Sequence, residues 1–272
     1  MFTLEPNDTQ AYVKDDGTLV MLHKAGFFSC CTIRMVKILQ YLDFYKRFPS
    51  VDSSEQWKMY RPDNRDVTDE YFKYQPDYLK NPIPITFSND NREIQYSDFK
   101  LINYNSIYPV VSGYFAPSDQ VNRTTTDLVQ RYGIDINNTI AILYRGTDKR
   151  KETIVPEHSE VIGMVQIVRQ KFPNHKILIQ TDEIDFWDAF KREYPNSIHF
   201  EEVYMVNRLQ ESVQNYIHND DRINKAVHFL AIMNIIAKCD QVILNSGNVG
   251  MWCCLYRGNA NNVYQFLDGD WI

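Results

Sequence analysis

The hydrophobic pattern is clearest in the second half of the chain, where short apolar runs alternate with segments of helical spacing. Residues 139–144 are apolar, β-branched or aromatic, as expected of a strand buried on both faces. The further predicted strands cover residues 176–180, 197–200, 241–244 and 263–266, and the predicted helices cover residues 159–171, 184–194 and 222–239. Strands and helices that alternate in this way predict a parallel sheet with right-handed crossovers.

The start of the chain predicts a second unit of the same kind. A strand at 17–22 runs into a loop with Gly26 at its bend, followed by helical spacing over 32–45 and a short strand at 48–53. This order opens a Rossmann-like βαβ unit. It is not the dinucleotide fingerprint, because Gly26 is the only glycine of the loop. The alternative role for this loop is structural, with Ser29 or Thr32 capping the helix.

The middle of the chain is less regular. Residues 55–105 are rich in aromatic residues, which predicts packing against a core, and residues 81–84 predict a rigid extended piece. A strand is predicted at 107–115, and a helix at 119–132 that ends at Gly133. We therefore predict two domains, at residues 1–133 and 134–272.

Three of the predicted strands end in polar clusters, at residues 145–149, 181–183 and 245–248. A parallel sheet brings its carboxyl ends to one edge, where ligands bind in open α/β sheets. Arg145 and Lys149 can neutralise a diphosphate, and Asp182 and Glu183 can accept hydrogen bonds from a base or from ribose hydroxyls. Asn245 and Ser246 precede a helix whose free N–H groups can bind an anion. The alternatives are an ordinary polar turn after the central strand, and capping of the next helix by Asp182 and Glu183.

Composition and charge argue against several classes of function. The formal net charge of −6 argues against a general nucleic-acid binder. No secretory leader and no apolar run of membrane-spanning length is visible, and five cysteines without a disulfide-framework spacing indicate reduced thiols, so we expect a cytoplasmic protein. The histidines lack metal-binding spacing and no Asp-x-Asp triplet follows a strand, so we expect no metal site.

The polar clusters resemble the motifs of the fucosyltransferase superfamily. The run Leu143-Tyr-Arg145-Gly-Thr-Asp148-Lys149 is similar to the family's His-x-Arg-Arg-x-Asp-Lys motif, with Leu143 in place of the histidine and Gly146 in place of the second arginine. Thr181-Asp-Glu183 is similar to the family's Thr-Asp-Asp, and the segment from Cys239-Asp240 to Asn245-Ser246 is similar to its third motif. The resemblance covers about residues 136–266. In the first half it is limited to Gly26-Phe-Phe-Ser29, which stands where the family carries a glycine-rich loop.

The resemblance implies an α/β, GT-B-like fold with two Rossmann-like domains whose parallel sheets face a central cleft. It implies that residues 1–133 form the acceptor-side domain and residues 134–272 the nucleotide-sugar-binding domain. It also implies an inverting, metal-independent glycosyltransferase that uses a nucleotide sugar, GDP-fucose first, and no cofactor. The expected partners are that donor and a glycan or glycoprotein acceptor. The implied donor-binding residues are Gly26, Phe28, Ser29, Arg145, Thr147, Asp148, Lys149, Asp182, Glu183, Asn245, Ser246 and Asn248.

The expected catalytic residues are Arg145, which contacts the β-phosphate, and Asp52 or Glu152 as general base. Because Leu143 and Gly146 depart from the motif, a donor such as UDP-xylose or a rhamnose nucleotide is the alternative within the same fold. A nucleotide-binding protein without catalytic activity is the alternative from another functional class.

Overall fold

The computed structural model describes residues 9–61, 63, 65–79, 94–203, 205–207 and 221–272. The chain begins with a small sheet of three strands in the order β1-β2-β3. These strands are β1 (Ala11–Val13), β2 (Leu19–Met21) and β3 (Val51–Asp52). β1 is antiparallel to β2, whereas β2 is parallel to β3 and is joined to it by helix α1 (Phe27–Tyr45). The predicted βαβ unit is therefore present, within a sheet that also has an antiparallel edge.

Helix α1 begins five residues earlier than predicted, and neither Ser29 nor Thr32 caps it. Gly26 is the N-cap residue and makes no side-chain hydrogen bond. The first turn contains Phe27 and Phe28, which are both buried. Burial of two aromatic side chains in this turn explains why the helix extends back to the loop.

The aromatic middle segment packs against the core, as predicted. Trp57, Tyr71 and Phe99 are fully buried. The regular elements here are α2 (Thr68–Tyr71), β4 (Phe72–Lys73), α3 (Tyr104–Tyr114) and β5 (Ala116–Pro117), with β4 antiparallel to β5. The extended piece predicted at residues 81–84 lies outside the described residues.

The strand predicted at 107–115 is wrong, because this segment forms helix α3. Asn103 caps the helix by accepting a hydrogen bond from the backbone N–H of Ser106 at 3.2 Å. The buried residues of the helix are Ile107, Val110, Val111, Gly113 and Tyr114. Four of them follow the i, i+3, i+4, i+7 spacing of one helical face, a signal that the β-branched and aromatic residues of this stretch obscured.

Helix α4 (Asp119–Tyr132) matches the sequence prediction at both ends. Ser118 is its N-cap residue and accepts a hydrogen bond from the N–H of Val121 at 3.2 Å. Gly133 follows the last turn with φ of 57°, the left-handed conformation that glycine adopts most easily.

The second half forms a six-stranded sheet in the order β11-β10-β9-β6-β7-β8. Its strands are β6 (Thr139–Tyr144), β7 (Lys176–Thr181), β8 (Ile198–His199), β9 (Gln241–Asn245), β10 (Val263–Leu267) and β11 (Asp270–Trp271). The helices between them are α5 (His158–Lys171), α6 (Ile184–Glu193), α7 (Arg222–Lys238) and α8 (Asn248–Arg257). The strands are parallel except β11, so the predicted alternation and the α/β class are confirmed.

Both faces of this sheet are covered. Ile140, Ile142 and Tyr144 of β6 belong to a core that includes residues of α5 and α6, whereas Ala141 and Leu143 belong to a larger core on the opposite face. This alternation follows from the period of two in a strand. The larger core also contains residues of α1, α4, α7 and α8.

The larger core joins the first half of the chain to the second. Phe28 of α1 stacks on Trp252 of α8 with ring centroids 6.0 Å apart, and the indole N–H of Trp252 donates to Thr32 at 2.9 Å. Both halves therefore contribute to one continuous hydrophobic cluster. The division into domains at residue 133 stays a prediction.

All five cysteines are buried and unpaired with one another, as the sequence predicted. Among the described residues, no helix combines the length and apolar character that a membrane span requires.

Candidate active site

A cleft of about 340 Å³ lies at the carboxyl ends of β6 and β7. Its other walls come from the start of α1, from α7 and from the start of α8. A volume of this size is within the range of small-molecule sites. The three polar clusters do meet at this edge of the sheet, because β6 lies between β7 and β9.

Arg145 is held by two carboxylates. Its Nε donates to Asp182 Oδ2 at 2.6 Å, and its Nη2 donates to Asp148 Oδ1 at 3.1 Å. The side chain of Asp182 is nearly buried and also accepts from the backbone N–H of Gly146 and from the hydroxyl of Thr147. These bonds fix the guanidinium plane before a ligand arrives, which is the preorganisation that electrostatic catalysis requires.

The opposite charges at this site stabilise the ionised forms of both Arg145 and Asp148. Burial by itself would lower the pKa of the Arg145 guanidinium, but the carboxylates of Asp182 and Asp148 outweigh it and raise that pKa. Partial burial would raise the pKa of Asp148, but the charges of Arg145 and Lys149 lower it. Arg145 is therefore a permanent cation, and Asp148 stays ionised at neutral pH.

The main chain of Arg145 is fixed from the neighbouring strand end. The side chain of Asn245 accepts from the N–H of Arg145 at 2.9 Å and donates to its carbonyl oxygen at 3.1 Å. This paired contact continues the sheet past the end of β6, so Asn245 positions the arginine rather than lining the cleft.

Lys149 and Glu152 form the second charged pair of the cleft. Lys149 Nζ donates to Glu152 Oε2 at 2.7 Å, and the same oxygen accepts from the hydroxyl of Tyr96 at 2.7 Å. The side chain of Glu152 is 44% exposed, so a molecule in the cleft can reach it.

The wall opposite the strand ends comes from α1 and α8. Gly26, Phe28 and Ser29 line the cleft there, and the Ser29 hydroxyl lies 3.1 Å from His23 Nε2. Asn248, at the first position of α8, is held by Thr32, which lies 2.6 Å from its Oδ1. Its backbone N–H donates to Gln95 Oε1 at 3.2 Å.

Glu183 lies outside the cleft although it follows Asp182 directly. It is fully buried and its Oε1 lies 2.7 Å from His158 Nε2 of α5. It accordingly faces the core beneath the strand ends, so the contact with a nucleoside predicted for it is not available in this arrangement. The predicted capping role is also absent, because Glu183 precedes α6 without a side-chain cap bond.

The predicted donor residues divide into two groups. Those that line the cleft are Gly26, Phe28, Ser29, Arg145, Asp148, Lys149, Asp182 and Asn248. Those that do not line it are Thr147, Glu183, Asn245 and Ser246. Ser246 is turned away, since its hydroxyl donates to the carbonyl of Phe266 at 2.7 Å.

The two candidate bases are also separated. Glu152 lines the cleft, whereas Asp52 does not. Asp52 instead pairs with Lys14 at 3.0 Å on the first sheet. Partial burial would raise the pKa of Asp52, but hydrogen bonds from Ser54 and the charge of Lys14 lower it, which makes this carboxylate a weaker base.

Sequence reasoning missed several residues that line the cleft. They are Tyr60, Gln95, Gln180, Lys225 and Phe229, among others. For Gln180 there was a signal, since it is a polar residue at the end of an otherwise apolar strand. For Lys225 and Phe229 there was only their spacing of four on a helix, which does not say what that face contacts.

No group of three or more histidine, cysteine or carboxylate side chains suited to a metal ion occurs in the described part of the chain. The cationic side chains that line the cleft are those of Arg145, Lys149 and Lys225.

Comparison with known proteins identifies solved structures that share this fold. No model of a protein family matches the sequence, and no curated protein matches it either. Solved structures do match. The structure of the α-1,6-fucosyltransferase NodZ soaked with GDP-fucose matches with a TM-score of 0.60 over 93% of this chain and 97% of that one. The chain has a fucosyltransferase-like fold.

Two further NodZ structures agree with this result. NodZ co-crystallised with GDP has a TM-score of 0.59, and NodZ from Bradyrhizobium has a TM-score of 0.58, each covering 93% of this chain and 96% of the other. The sequence identity is 11% in all three, so the likeness concerns the fold. The predicted resemblance is confirmed at that level, and the parallel sheet with a cleft at its carboxyl edge agrees with the GT-B-like class.

Proposed function

We propose that this protein is a glycosyltransferase that transfers L-fucose from GDP-fucose to a hydroxyl group of a glycan or glycoprotein. The observation that carries the proposal is the preorganised Arg145 at the carboxyl edge of the sheet, in a chain with a fucosyltransferase-like fold. The NodZ structures that share the fold were obtained with GDP and with GDP-fucose, which supports a nucleotide sugar as the donor.

The diphosphate of the donor belongs beside Arg145 and Lys149. Both cations line the same cleft, and Arg145 keeps a fixed orientation through its two carboxylate partners. When the bond from the anomeric carbon to the β-phosphate oxygen breaks, its electron pair goes to that oxygen. Arg145 stabilises the charge that develops there, so the proposed reaction needs no metal ion.

The acceptor hydroxyl attacks the anomeric carbon from the opposite side and thereby inverts its configuration. Glu152 takes the hydroxyl proton in this scheme, because it is the candidate base that lines the cleft and is open to solvent. Its partners Lys149 and Tyr96 hold one carboxylate oxygen, which orients the other.

One observation favours a second donor. Leu143 lines the cleft and is apolar where the family motif has a histidine, and Gly146 leaves the motif without its second arginine. The same site with UDP-xylose or a rhamnose nucleotide is therefore the alternative.

Ligand-dependent thermal stability tests the donor. We expect GDP and GDP-fucose to raise the unfolding temperature, because a ligand that binds only the folded state stabilises it. Stabilisation by UDP alone would identify the alternative donor. If neither nucleotide changes the unfolding temperature, the proposed function is wrong.

Substitution of Arg145 tests the mechanism. Arg145→Lys keeps the charge but loses the two-point contact with Asp182 and Asp148, so we expect release of GDP from GDP-fucose to fall by roughly a hundredfold or more. Arg150→Lys is the matched control, since Arg150 pairs with Glu157 and does not line the cleft. Equal activity of the two variants would contradict the role of Arg145, and loss of activity in EDTA would contradict a metal-independent reaction.

A further inference from the structure

Leu143 and Gln180 lie side by side in the cleft. They are register partners at the ends of β6 and β7, so their side chains point to the same face of the sheet. Leu143 stands where the family motif has a histidine. At this position of the cleft β6 supplies an apolar side chain, and the neighbouring Gln180 of β7 supplies a polar one.

The amide of Gln180 has an unused acceptor. The residue is only 2% exposed, and its Nε2 donates to the carbonyl of Thr181 at 3.2 Å. Its Oε1 has no hydrogen-bond partner within the part of the chain that the structure describes. A buried acceptor without a donor is unfavourable, and such groups call for an explanation such as a ligand. Because the last torsion of glutamine is broad, the amide can turn to meet one.

The cleft also has apolar walls that suit a flat heterocycle. Ala226 and Phe229 of α7 and Val203 line the same cleft and are apolar. Along an extended chain Leu143 and Arg145 are about 7 Å apart, a distance that the ribose and phosphates of a nucleotide can span. A nucleoside whose diphosphate lies at Arg145 would thus place its base beside Leu143 and Gln180.

We propose that Gln180 recognises the nucleobase of the donor, with Oε1 accepting a hydrogen bond from an N–H group of the base. The inference rests on the proposed function, because it requires a nucleotide in this cleft. In this arrangement Gln180 on β7 forms the hydrogen bond to the base, which the apolar Leu143 on β6 cannot form.

The test uses Gln180→Met, which keeps the side-chain length and removes both polar atoms. We expect calorimetric titration to show about tenfold weaker binding of whichever nucleoside diphosphate, GDP or UDP, the wild-type protein binds. Binding of inorganic pyrophosphate, which has no base, should be unchanged. Gln166→Met is the matched control, since Gln166 is exposed on α5 and lies outside the cleft.

A purely structural role for Gln180 makes a different prediction. Gln180→Met also removes the Nε2 bond to the carbonyl of Thr181, so a change in unfolding temperature by itself does not distinguish the two roles. Equal loss of nucleotide and pyrophosphate binding would indicate the structural role and overturn the proposal. Unchanged nucleotide affinity in Gln180→Met would overturn it while leaving the proposed function intact. Failure of the wild-type protein to bind either nucleotide would overturn both.

Discussion

Gly146 shows how a single residue shapes this site. A Cβ atom at this position would lie 1.9 Å from Glu183 Oε2 and 2.6 Å from Tyr144 Cε1. Glu183 is fully buried and is held by His158, so its carboxylate cannot move out to solvent. The second arginine of the family motif thus has no room here, because the buried Glu183 occupies the space that its side chain would need.

The Gly146→Ala variant tests this packing. We expect it to lose about 1–3 kcal/mol of unfolding free energy, the usual effect of an overpacked core. Urea unfolding measures the loss. Gly163→Ala is the matched control, because nothing lies within 4 Å of a Cβ there and Gly163 is inside helix α5, where alanine is favoured by about 1 kcal/mol. Similar stability of the two variants would show that Glu183 does not block position 146.

The limits of helix α4 are as the sequence predicted them. The Ser118 hydroxyl accepts from the N–H of Val121 and also donates to the carbonyl of Glu70 at 2.7 Å. Ser118 therefore has two roles, because it caps the start of the helix and bonds the helix to the end of α2. Local signals of this kind are readable in sequence because cap residues act within one turn.

Ser118→Ala removes both hydrogen bonds. We expect a loss of about 1–2 kcal/mol in unfolding free energy, which chemical denaturation detects. Ser118→Thr keeps a hydroxyl in the same place and should stay close to the wild-type value. If alanine and threonine have the same effect, the hydroxyl does not stabilise the helix.

Helix α3, in contrast, is an element that the sequence analysis predicted wrongly as a strand. Its sequence contains β-branched and aromatic residues, which favour a strand, and Pro109, which disfavours the interior of a helix. It is a helix because Ile107, Val110, Val111 and Tyr114 bury one face in the larger core. Local propensity was overridden here by packing against distant parts of the chain.

At the scale of the whole molecule, α1 and α8 connect the two halves through one buried hydroxyl. Thr32 Oγ1 accepts from Trp252 Nε1 at 2.9 Å and lies 2.6 Å from Asn248 Oδ1. Thr32 is more than 200 positions away in sequence from both Asn248 and Trp252, and all three residues are buried. Since Asn248 also lines the cleft, the contact couples the packing of the halves to the site.

Thr32→Val preserves the shape of the side chain and removes its hydroxyl. The indole N–H of Trp252 would lose its partner, so we expect a loss of at least about 1–3 kcal/mol in unfolding free energy, measured by calorimetry or denaturant. Thr126→Val is the matched control, because Thr126 is exposed and its hydroxyl donates to the carbonyl of Asn122 within the same helix. An equal effect of both substitutions would contradict a connecting role for Thr32.

The sequence by itself determined most strands and helices of the second half and the meeting of their polar ends at one edge. Apolar runs, helix ends and the geometry of parallel strands are local or nearly local properties, so Arg145, Asp148, Lys149 and Asp182 could be placed together in advance. The tertiary structure alone decided which neighbours of these residues face the cleft. Glu183 turns to His158 and Asp52 pairs with Lys14, while Gln180 lines the cleft. Such orientations depend on burial and charge partners that lie far away in sequence, and no local pattern contains them.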